Sequence, residues 1–321
     1  MIVDRQLTRC ILIIALMLWA DICRSQPKQI NTLKVTILST MLADKGIGEW
    51  GFSALVEFDG HRILFDTGAR PETVLNNAKE LNVDLANVTE VFMSHSHGDH
   101  TGGLLTLRQH YASQNTTALS VVHIGEGAFF ARDDKAYTSS LVNLKFEYEK
   151  SGGQFIVYNK PKELYPGVWI TGPVPRKNDE RNWSGTGKVI TPNGNVVEDN
   201  VPEDQSLLFN TKDGLVIISG CGHAGVVNTI EYARQIVGPL PVTTLIGGFH
   251  LFNLSDEKMS WTIEKLKSFG VKDFVGAHCT GINAVYEIRD KLKLDRTHAV
   301  VGAVGAGFEL GKGINPGNIA K

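Results

Sequence analysis

A cluster of metal-ligand side chains follows a predicted strand in the first third of the chain. The segment SHSHGDHTGG places His95, His97, Asp99 and His100 within six positions on a glycine-rich turn. Side chains two residues apart in an extended backbone point the same way, so His95 and His97 are expected to share one cation. Asp99 and His100 then bend toward a second cation. The segment predicts a site for one or two ions, with Zn²⁺ as the default and Mn²⁺ or Fe²⁺ as alternatives.

Further histidines in the second half of the chain stand next to cysteines. SGCGHAG contains Cys221 and His223, and GAHCTG contains His278 and Cys279. Two cysteines do not form a disulfide framework, so both motifs are predicted to belong to a site, with one structural disulfide as the alternative. His250 follows two glycines in IGGFHL. It is expected to contact substrate or transfer a proton, with a histidine at the edge of the core as the alternative.

The elements that must position these residues alternate short β-rich runs with helical patterns, which is typical of a layered α/β fold. Residues 55–66 predict a β-hairpin around Asp59 and Gly60, and Pro71 opens a predicted helix. A buried strand over Val88–Ser94 leads into the histidine cluster. The remaining predicted elements are strands over Ser206–Asn210, Leu215–Ser219 and Val242–Ile246, a strand ending at Val275, and helices through Val226–Ala233, Met259–Leu266 and Val285–Leu292.

The pattern weakens between about residues 125 and 200, where Gly, Pro and charged residues accumulate. This stretch predicts a loop-rich insertion or lid. Arg132 and Arg176 lie in it and are expected to bind an anionic substrate, with solvated side chains as the alternative.

Taken together, these motifs resemble the metallo-β-lactamase fold superfamily, whose HxHxDH motif matches His95, His97, Asp99 and His100. The resemblance spans roughly residues 32–310. EWGFSALVE, LFDTG, SGCGHAG, IGGFH and HCTG further resemble a narrower group, the dihydropterin-ribofuranosylaminobenzene phosphate synthase-like proteins. The resemblance implies a four-layer αββα sandwich with one or two metals along one edge, and usually hydrolysis.

The resemblance also assigns roles to residues outside the histidine cluster. The final histidine motif of the superfamily corresponds to His278, and its early acidic residue corresponds to Asp66. We expect Asp66 to hold a metal-bound histidine in place, with direct ligation as the alternative. Many members carry a bridging aspartate after the hairpin strand, but this chain has Cys221 and His223 there, and we favour His223 as the ligand. Asp204, just before the hairpin, is a lesser candidate.

The composition bounds the function further. The chain of 321 residues has 32 basic and 34 acidic side chains and a formal net charge of -2, without a basic block. Nucleic acid is therefore not an expected partner, and we expect a small-molecule substrate. Arg5 and Arg9 precede an apolar run from Cys10 to Ala20. This run is too short for a membrane-spanning helix, so residues 1–26 predict a signal peptide and residues 27–321 one exported domain, periplasmic or secreted, without stable membrane insertion after cleavage.

The sequence thus predicts an exported metal-dependent hydrolase that uses a water between two cations to attack a small ester, lactone or phosphoester. Asp99 is expected to orient that water, and His250 to donate a proton to the leaving group. The alternatives are a β-lactamase-type amide hydrolase and a non-catalytic, metal-stabilised binding protein. His61, His110, His123 and His298 lack neighbouring ligand residues and are expected to be structural or exposed.

Overall fold

Three stretches of the chain, residues 27–132, 135–182 and 187–320, are described by the computed structural model. The predicted signal peptide lies outside them. In chain order the elements are β1 (Lys34–Ser39), β2 (Leu42–Ala43), β3 (Ser53–Phe58), β4 (His61–Phe65), α1 (Thr73–Glu80), β5 (Glu90–Phe92), α2 (Gly98–Thr101), α3 (Leu104–Ala112), β6 (Val121–Gly125), β7 (Ala131–Arg132), α4 (Lys135–Lys150), β8 (Gln154–Tyr158), β9 (Lys162–Tyr165), β10 (Val168–Ile170), β11 (Lys188–Ile190) and β12 (Val196–Glu198). They continue with β13 (Ser206–Thr211), β14 (Gly214–Ser219), α5 (Val226–Val237), β15 (Val242–Gly247), α6 (Asp256–Phe269), β16 (Asp273–Gly276), α7 (Ile282–Leu292), β17 (Ala299–Val301), β18 (Ala303–Val304), β19 (Gly307–Glu309) and β20 (Gly313–Asn315).

Two large mixed sheets form the centre of the described part of the chain. The first has the strand order β20-β19-β1-β3-β4-β5-β6-β8, and the second has the order β17-β16-β15-β14-β13-β10-β9. Strands β4, β5, β6 and β8 run parallel in the first sheet, as do β14, β15, β16 and β17 in the second. The carboxyl ends of neighbouring parallel strands therefore lie along one edge of each sheet.

The hydrophobic residues form layers that match this arrangement. Ile37, Val56, Phe209, Ile218 and Val275 belong to the core between the two sheets. A second core packs α1, α3 and α4 on the outer face of the first sheet, and a third packs α5, α6 and α7 on the second. These layers are helix, sheet, sheet and helix, which confirms the predicted αββα sandwich.

Most elements outside the middle segment agree with their predictions. The hairpin turns at Asp59 and Gly60, and β13 and β14 pair in register from Ser206 opposite Ser219 to Thr211 opposite Gly214. Ser255 caps α6 because its side chain accepts a hydrogen bond from the Lys258 N–H. No helix in the described ranges is both long and apolar enough to cross a bilayer.

The middle segment is more regular than the loop-rich insertion that the sequence predicted. It contains the 16-residue helix α4, and β8 and β10 are members of the two large sheets. The helix was missed because its inward-facing apolar residues are widely spaced, as at Leu141 and Tyr148, among charged residues. Strand β8 was missed because its apolar side chains stay partly exposed at the edge of the sheet. Among the described strands of the middle segment, β7, β11 and β12 form a small sheet separate from the two large ones.

The core between the sheets gives a first prediction. Ile218→Ala removes a fully buried side chain from that core, so the free energy of unfolding should fall by about 2–5 kcal/mol. Chemical denaturation of the purified protein measures this change. Val196→Ala, at a residue that is 59% exposed, should change it by less than about 0.5 kcal/mol. Equal stability of the two variants would contradict the assigned layer structure.

Candidate metal centre

The candidate ligands lie beyond the carboxyl ends of strands from both sheets. His95, His97, Asp99 and His100 follow β5 in the first sheet. In the second sheet, His223 follows β14, His250 follows β15 and His278 follows β16. The packing of the two sheets brings these ends together, so residues more than 120 positions apart in sequence form one cluster.

The first potential metal site consists of three imidazoles. The ring nitrogens of His95, His97 and His223 lie within 4.8 Å of one another. His223 Nδ1 donates a hydrogen bond to the backbone carbonyl of Asn182 at 2.6 Å, which leaves Nε2 as the atom facing the cluster. His223, the ligand favoured from the sequence, thus completes a three-histidine group.

The second potential site consists of Asp99, His100 and His278, whose ligand atoms also lie within 4.8 Å of one another. His278 Nε2 is 3.2 Å from Asp99 Oδ2, and His100 Nε2 is 3.9 Å from the same oxygen. The ligand atoms of His95, His100 and Cys221 also lie within 4.8 Å of one another, so the two groups adjoin. The assignment of Asp99 and His100 to a second cation stays a prediction.

The carboxylate of Asp66 contacts one histidine of each group, directly or through Ser94, on the side away from the potential metal sites. Its Oδ2 accepts hydrogen bonds from His100 Nδ1 and from Ser94 Oγ, each at 2.7 Å. Ser94 Oγ in turn lies 2.9 Å from His95 Nδ1, and because the hydroxyl proton goes to Asp66, His95 Nδ1 is the donor in this pair. Asp66 thereby selects the tautomer in which His95 and His100 present Nε2 to the cluster. It occupies the supporting position expected from the sequence.

Close packing behind the site requires a glycine at position 220. A Cβ atom there would lie 2.0 Å from Ser94 Oγ and 2.7 Å from Asp66 Oδ2. Gly220 therefore lets the end of β14, which carries Cys221 and His223, approach the loop of the first sheet directly.

Several buried nitrogens of the cluster lack hydrogen-bond partners among the described residues. They are His95 Nε2, His223 Nε2, both ring nitrogens of His250 and Nδ1 of His278. His278 Nε2 has the 3.2 Å contact with Asp99 Oδ2 described above. Leaving a buried polar atom unpaired costs roughly 1–3 kcal/mol, so a concentration of such atoms indicates a missing partner. Imidazole nitrogens and one carboxylate are the donors that Zn²⁺ and similar divalent cations accept. The residues present therefore fit the metal that the motif predicts.

The protonation states of the first group and of Asp99 also suit a cation. Burial holds the pKa of His95, His97 and His223 below the usual value, so these imidazoles are neutral and offer lone pairs. Burial alone would raise the pKa of Asp99, but the neighbouring His100 and His278 hold it below its ordinary range, and the carboxylate stays ionised.

Cys221 and Cys279 lie between the two groups as free, buried thiols. Their sulfur atoms are 3.3 Å apart, and Cys221 Sγ is 3.2 Å from His100 Nε2. Burial raises the pKa of the Cys221 thiol. The alternative of a structural disulfide is therefore not what the structure contains. The sequence left open whether Cys221 or His223 is the ligand. In the structure both side chains lie in the cluster, so both can be ligands.

Three residues of the site have left-handed backbone conformations. The φ angles are 49° at Asp66, 48° at His250 and 47° at His278. Such conformations are unfavourable for residues with a Cβ atom and concentrate at functional sites. Each of these residues follows a strand end, where the turn redirects its side chain into the cluster. His250 lies with its ring centroid 4.8 Å from that of His223, which places it beside the site as predicted.

Asp204 supports the ligand loop and belongs to none of the potential ligand groups among the described residues. Its Oδ2 accepts a hydrogen bond from the backbone N–H of Ala224 at 2.9 Å, next to His223. Burial raises the pKa of Asp204 to about 6. Asp204 therefore contacts the backbone next to the ligand His223. This corrects the expectation that Asp204 is itself a ligand.

The two arginines predicted to bind substrate are engaged inside the protein, which corrects that expectation. Arg132 pairs with Asp199 at 2.7 Å and with Glu203 at 2.8 Å, and its side chain is buried. Arg176 donates hydrogen bonds to the backbone carbonyls of Asn200 and Val201. Both guanidinium groups therefore hold the middle segment in place, because Arg132 pairs with two carboxylates and Arg176 binds two backbone carbonyls through Nη2.

Sequence reasoning missed Glu203, Asn182 and Ser94, which support the ligands from behind. Glu203 accepts hydrogen bonds from the backbone and hydroxyl of Ser96, between His95 and His97, and so joins Arg132 to the ligand loop. Asn182 acts through a backbone carbonyl, for which its residue type gives no signal. The adjacent acidic pair in VPEDQ and the position of Ser94 next to His95 were the available signals. His61, His110, His123 and His298 belong to none of the potential ligand groups in the described ranges.

The fold and this cluster define the class of protein, and comparison with known families agrees. Residues 51–234 match the family model of the metallo-beta-lactamase superfamily, and the chain belongs to that superfamily.

Individual relatives show which members of the superfamily the chain is similar to. The chain is 32% identical over 291 residues to the 7,8-dihydropterin-6-methyl-4-(beta-D-ribofuranosyl)-aminobenzene-5'-phosphate synthase of Methanocaldococcus jannaschii, covering 84% of this chain and 96% of that protein. This supports the narrower group that the motifs resembled. The chain is also similar to the crystal structure of Tm1679, a metal-dependent hydrolase of the beta-lactamase superfamily, with a TM-score of 0.62, 27% identity and coverage of 81% and 92% of the two chains. The fold of YhfI from Bacillus subtilis is similar as well, with a TM-score of 0.55, 12% identity and coverage of 87% and 100%.

The Asp66 contacts give a second prediction. Asp66→Asn places an amide N–H₂ or a single carbonyl oxygen where His100 and Ser94 both need an acceptor, so Zn²⁺ affinity should fall about 10- to 100-fold. Competition with a chromogenic chelator measures the change. Asp213→Asn, at an exposed carboxylate in the β13–β14 turn, is the matched control and should bind Zn²⁺ like the parent protein. Unchanged affinity in a folded Asp66→Asn protein would refute the supporting role.

Glu180 gives a third prediction, about pH. Its buried carboxylate accepts hydrogen bonds from the backbone N–H groups of Val227 and Asn228 at the start of α5, two residues from Asn182. Burial raises the pKa of Glu180 to about 7 from its ordinary value of 4.5. Between these values the folded state binds more protons than the unfolded state, so stability falls as pH rises from about 4.5 to 7.

The size of this effect follows from the pKa difference and is on the order of 3 kcal/mol. Glu180→Gln removes the ionisable group, so the variant should lose that part of the pH dependence. Urea unfolding of both metal-free proteins at a series of pH values between 4.5 and 7.5 measures it. Parallel stability curves for the two proteins would show that Glu180 does not titrate in this range.

Proposed function

We propose that this protein is an exported metal-dependent hydrolase of a small ester or lactone, with Zn²⁺ as the default ion and Mn²⁺ or Fe²⁺ as alternatives. The single observation that carries the proposal is the convergence of partnerless, buried imidazole nitrogens from both sheets around one carboxylate. Divalent cations in such a site polarise the reacting oxygen and lower the pKa of water. His95, His97 and His223 would hold one ion, and Asp99, His100 and His278 the other.

The residues of the chain would divide the remaining work. Asp99, whose side chain is partly exposed, would orient the attacking water by accepting its hydrogen bond at a carboxylate oxygen. His250, whose ring nitrogens are partnerless and whose side chain is nearly buried, would donate a proton to the leaving group. The hydrophobic core beneath the cluster keeps this site rigid, so that reacting groups meet in a fixed orientation.

Three other functions are alternatives to this proposal, and experiment can distinguish them from it. A β-lactamase-type amide hydrolase would use the same residues on a different bond. A phosphoester substrate, or the synthase reaction named for the Methanocaldococcus jannaschii relative, would gain from cationic side chains that bind phosphate beside the metals, and Arg132 and Arg176 are already engaged within the chain. A non-catalytic binding protein would bind metal without turnover. The short apolar run over residues 10–20 supports export to the periplasm or medium, and the balanced charge supports a small-molecule substrate over nucleic acid.

The test combines metal analysis with a substrate screen, and it is the fourth prediction. The purified protein should contain one or two equivalents of divalent metal and hydrolyse a lactone or carboxylic ester faster than a β-lactam, a phosphodiester or a phosphomonoester. His95→Ala and Asp99→Ala should each lose metal and at least about 100-fold of the turnover. His110→Ala, at a partly exposed histidine outside the cluster, is the control. Full turnover by the chelator-treated protein would overturn the proposal.

A further inference from the structure

A cleft of about 610 Å³ opens beside the second ligand group. It is bordered by the loop that carries Trp50, by the segment after His250 and by the first turn of α7. His278 forms part of its wall, so the cleft continues directly from the metal centre. The volume accommodates the non-reacting part of a small substrate whose reactive bond lies at the metals.

Two aromatic rings with large exposed fractions line this cleft. Trp50 is 49% exposed and Phe252 is 42% exposed. Their ring centroids are 5.8 Å apart with the planes at 80°, the edge-to-face arrangement that aromatic pairs prefer. Trp50 lies 4.8 Å from the ring of His278, and Phe252 lies 5.0 Å from the ring of His250. The pair therefore joins the cleft to both histidines.

Trp50 is held in this position by its neighbours. Glu49, immediately before it, is buried and accepts hydrogen bonds from Ser39 Oγ and from the backbone N–H groups of Ala69 and Arg70. The same loop is held at Ile47, whose N–H donates to the buried side chain of Asn77. A half-exposed indole on a fixed backbone is already organised to receive a ligand, which lowers the entropy cost of binding.

The charged residues of the cleft bear on which charge a bound group can have. Asp256 and Glu287 contribute two carboxylates to the lining, and the described residues that line the cleft include no lysine or arginine. The amino-terminal end of α7, at Ile282, opposes them with only about half an elementary charge. Directly beside these two carboxylates an anionic group is disfavoured, whereas an uncharged or cationic group is accepted.

From this geometry we propose that the cleft binds a planar, apolar, non-anionic part of the substrate between Trp50, Phe252 and Ile282. The inference rests on the proposed function, because it assigns the substrate class of that same site. Trp50 and Phe252 are then specificity-determining residues. The substrate class is an ester or lactone that carries an aromatic or similarly flat apolar substituent without a negative charge.

The experiment, our fifth prediction, uses two fluorescent probes with the same aromatic skeleton. N-phenyl-1-naphthylamine is uncharged, and 8-anilino-1-naphthalenesulfonate adds a sulfonate. The metal-loaded protein should bind the uncharged probe at least tenfold more tightly. Trp50→Ala and Phe252→Ala should each weaken that binding about tenfold, because both rings contact the probe. The double change Asp256→Asn with Glu287→Gln should reduce the preference against the sulfonate.

Phe146→Ala is the matched control, since Phe146 is 61% exposed and does not line the cleft. All the substituted side chains are at least partly exposed, so circular dichroism should show unchanged folding. A second arm measures hydrolysis of 2-naphthyl acetate, for which Trp50→Ala should raise KM about tenfold and leave kcat within twofold. Unchanged probe binding in both aromatic variants, or tighter binding of the sulfonate by the parent protein, would overturn the inference.

The two arms separate the inference from the proposed function. Probe binding that depends on Trp50, in a metal-loaded protein that hydrolyses none of the esters or lactones, would refute the hydrolase and leave the cleft assignment standing. Hydrolysis with probe binding that is indifferent to Trp50 and Phe252 would refute the cleft assignment alone.

Discussion

The buried carboxylate of Asp66 is the contact on which the rest of the site depends. It accepts hydrogen bonds from His100, from the Ser94 hydroxyl and from the Ser94 backbone N–H, and through Ser94 it reaches His95. One carboxylate thus orients a histidine in each ligand group. Because Gly220 packs against the same pair of side chains, Asp66 also sets how closely the second sheet approaches the first. A charge buried this completely is stable only when its acceptor sites are filled, as they are here.

How much of this site could be read from the sequence depends on whether its contacts are local. The ligands in SHSHGDH lie on one turn, so their residue types and spacing alone predicted a site for one or two cations. The assignment of His278 came from the resemblance to the superfamily. Cys221 and His223 are two residues apart, and only the packing of β14 against the first sheet shows that both reach the cluster. Arg132 was assigned to substrate because its carboxylate partners, Asp199 and Glu203, are 67 and 71 residues away, beyond any local pattern.

The middle segment illustrates the same point for the fold. Hydrophobic periodicity predicted the helices and strands whose faces are fully apolar, such as α5 and β14. It failed for β8, which lies at the edge of its sheet, and for α4, whose inward face is sparse. Strand β8 nevertheless completes the edge of the first sheet, and α4 completes the helix layer that covers it. Their stability comes from tertiary contacts, which a window of sequence does not contain.

The split origin of the ligands has a consequence for how the chain matures. His95, His97, Asp99 and His100 come from one half of the sandwich, whereas His223 and His278 come from the other. In the proposed metal centre neither half alone assembles both ligand groups, so high-affinity uptake of a cation would follow the docking of both halves during folding. Bound metal would then mark chains that have completed assembly, and it would fasten the two halves together.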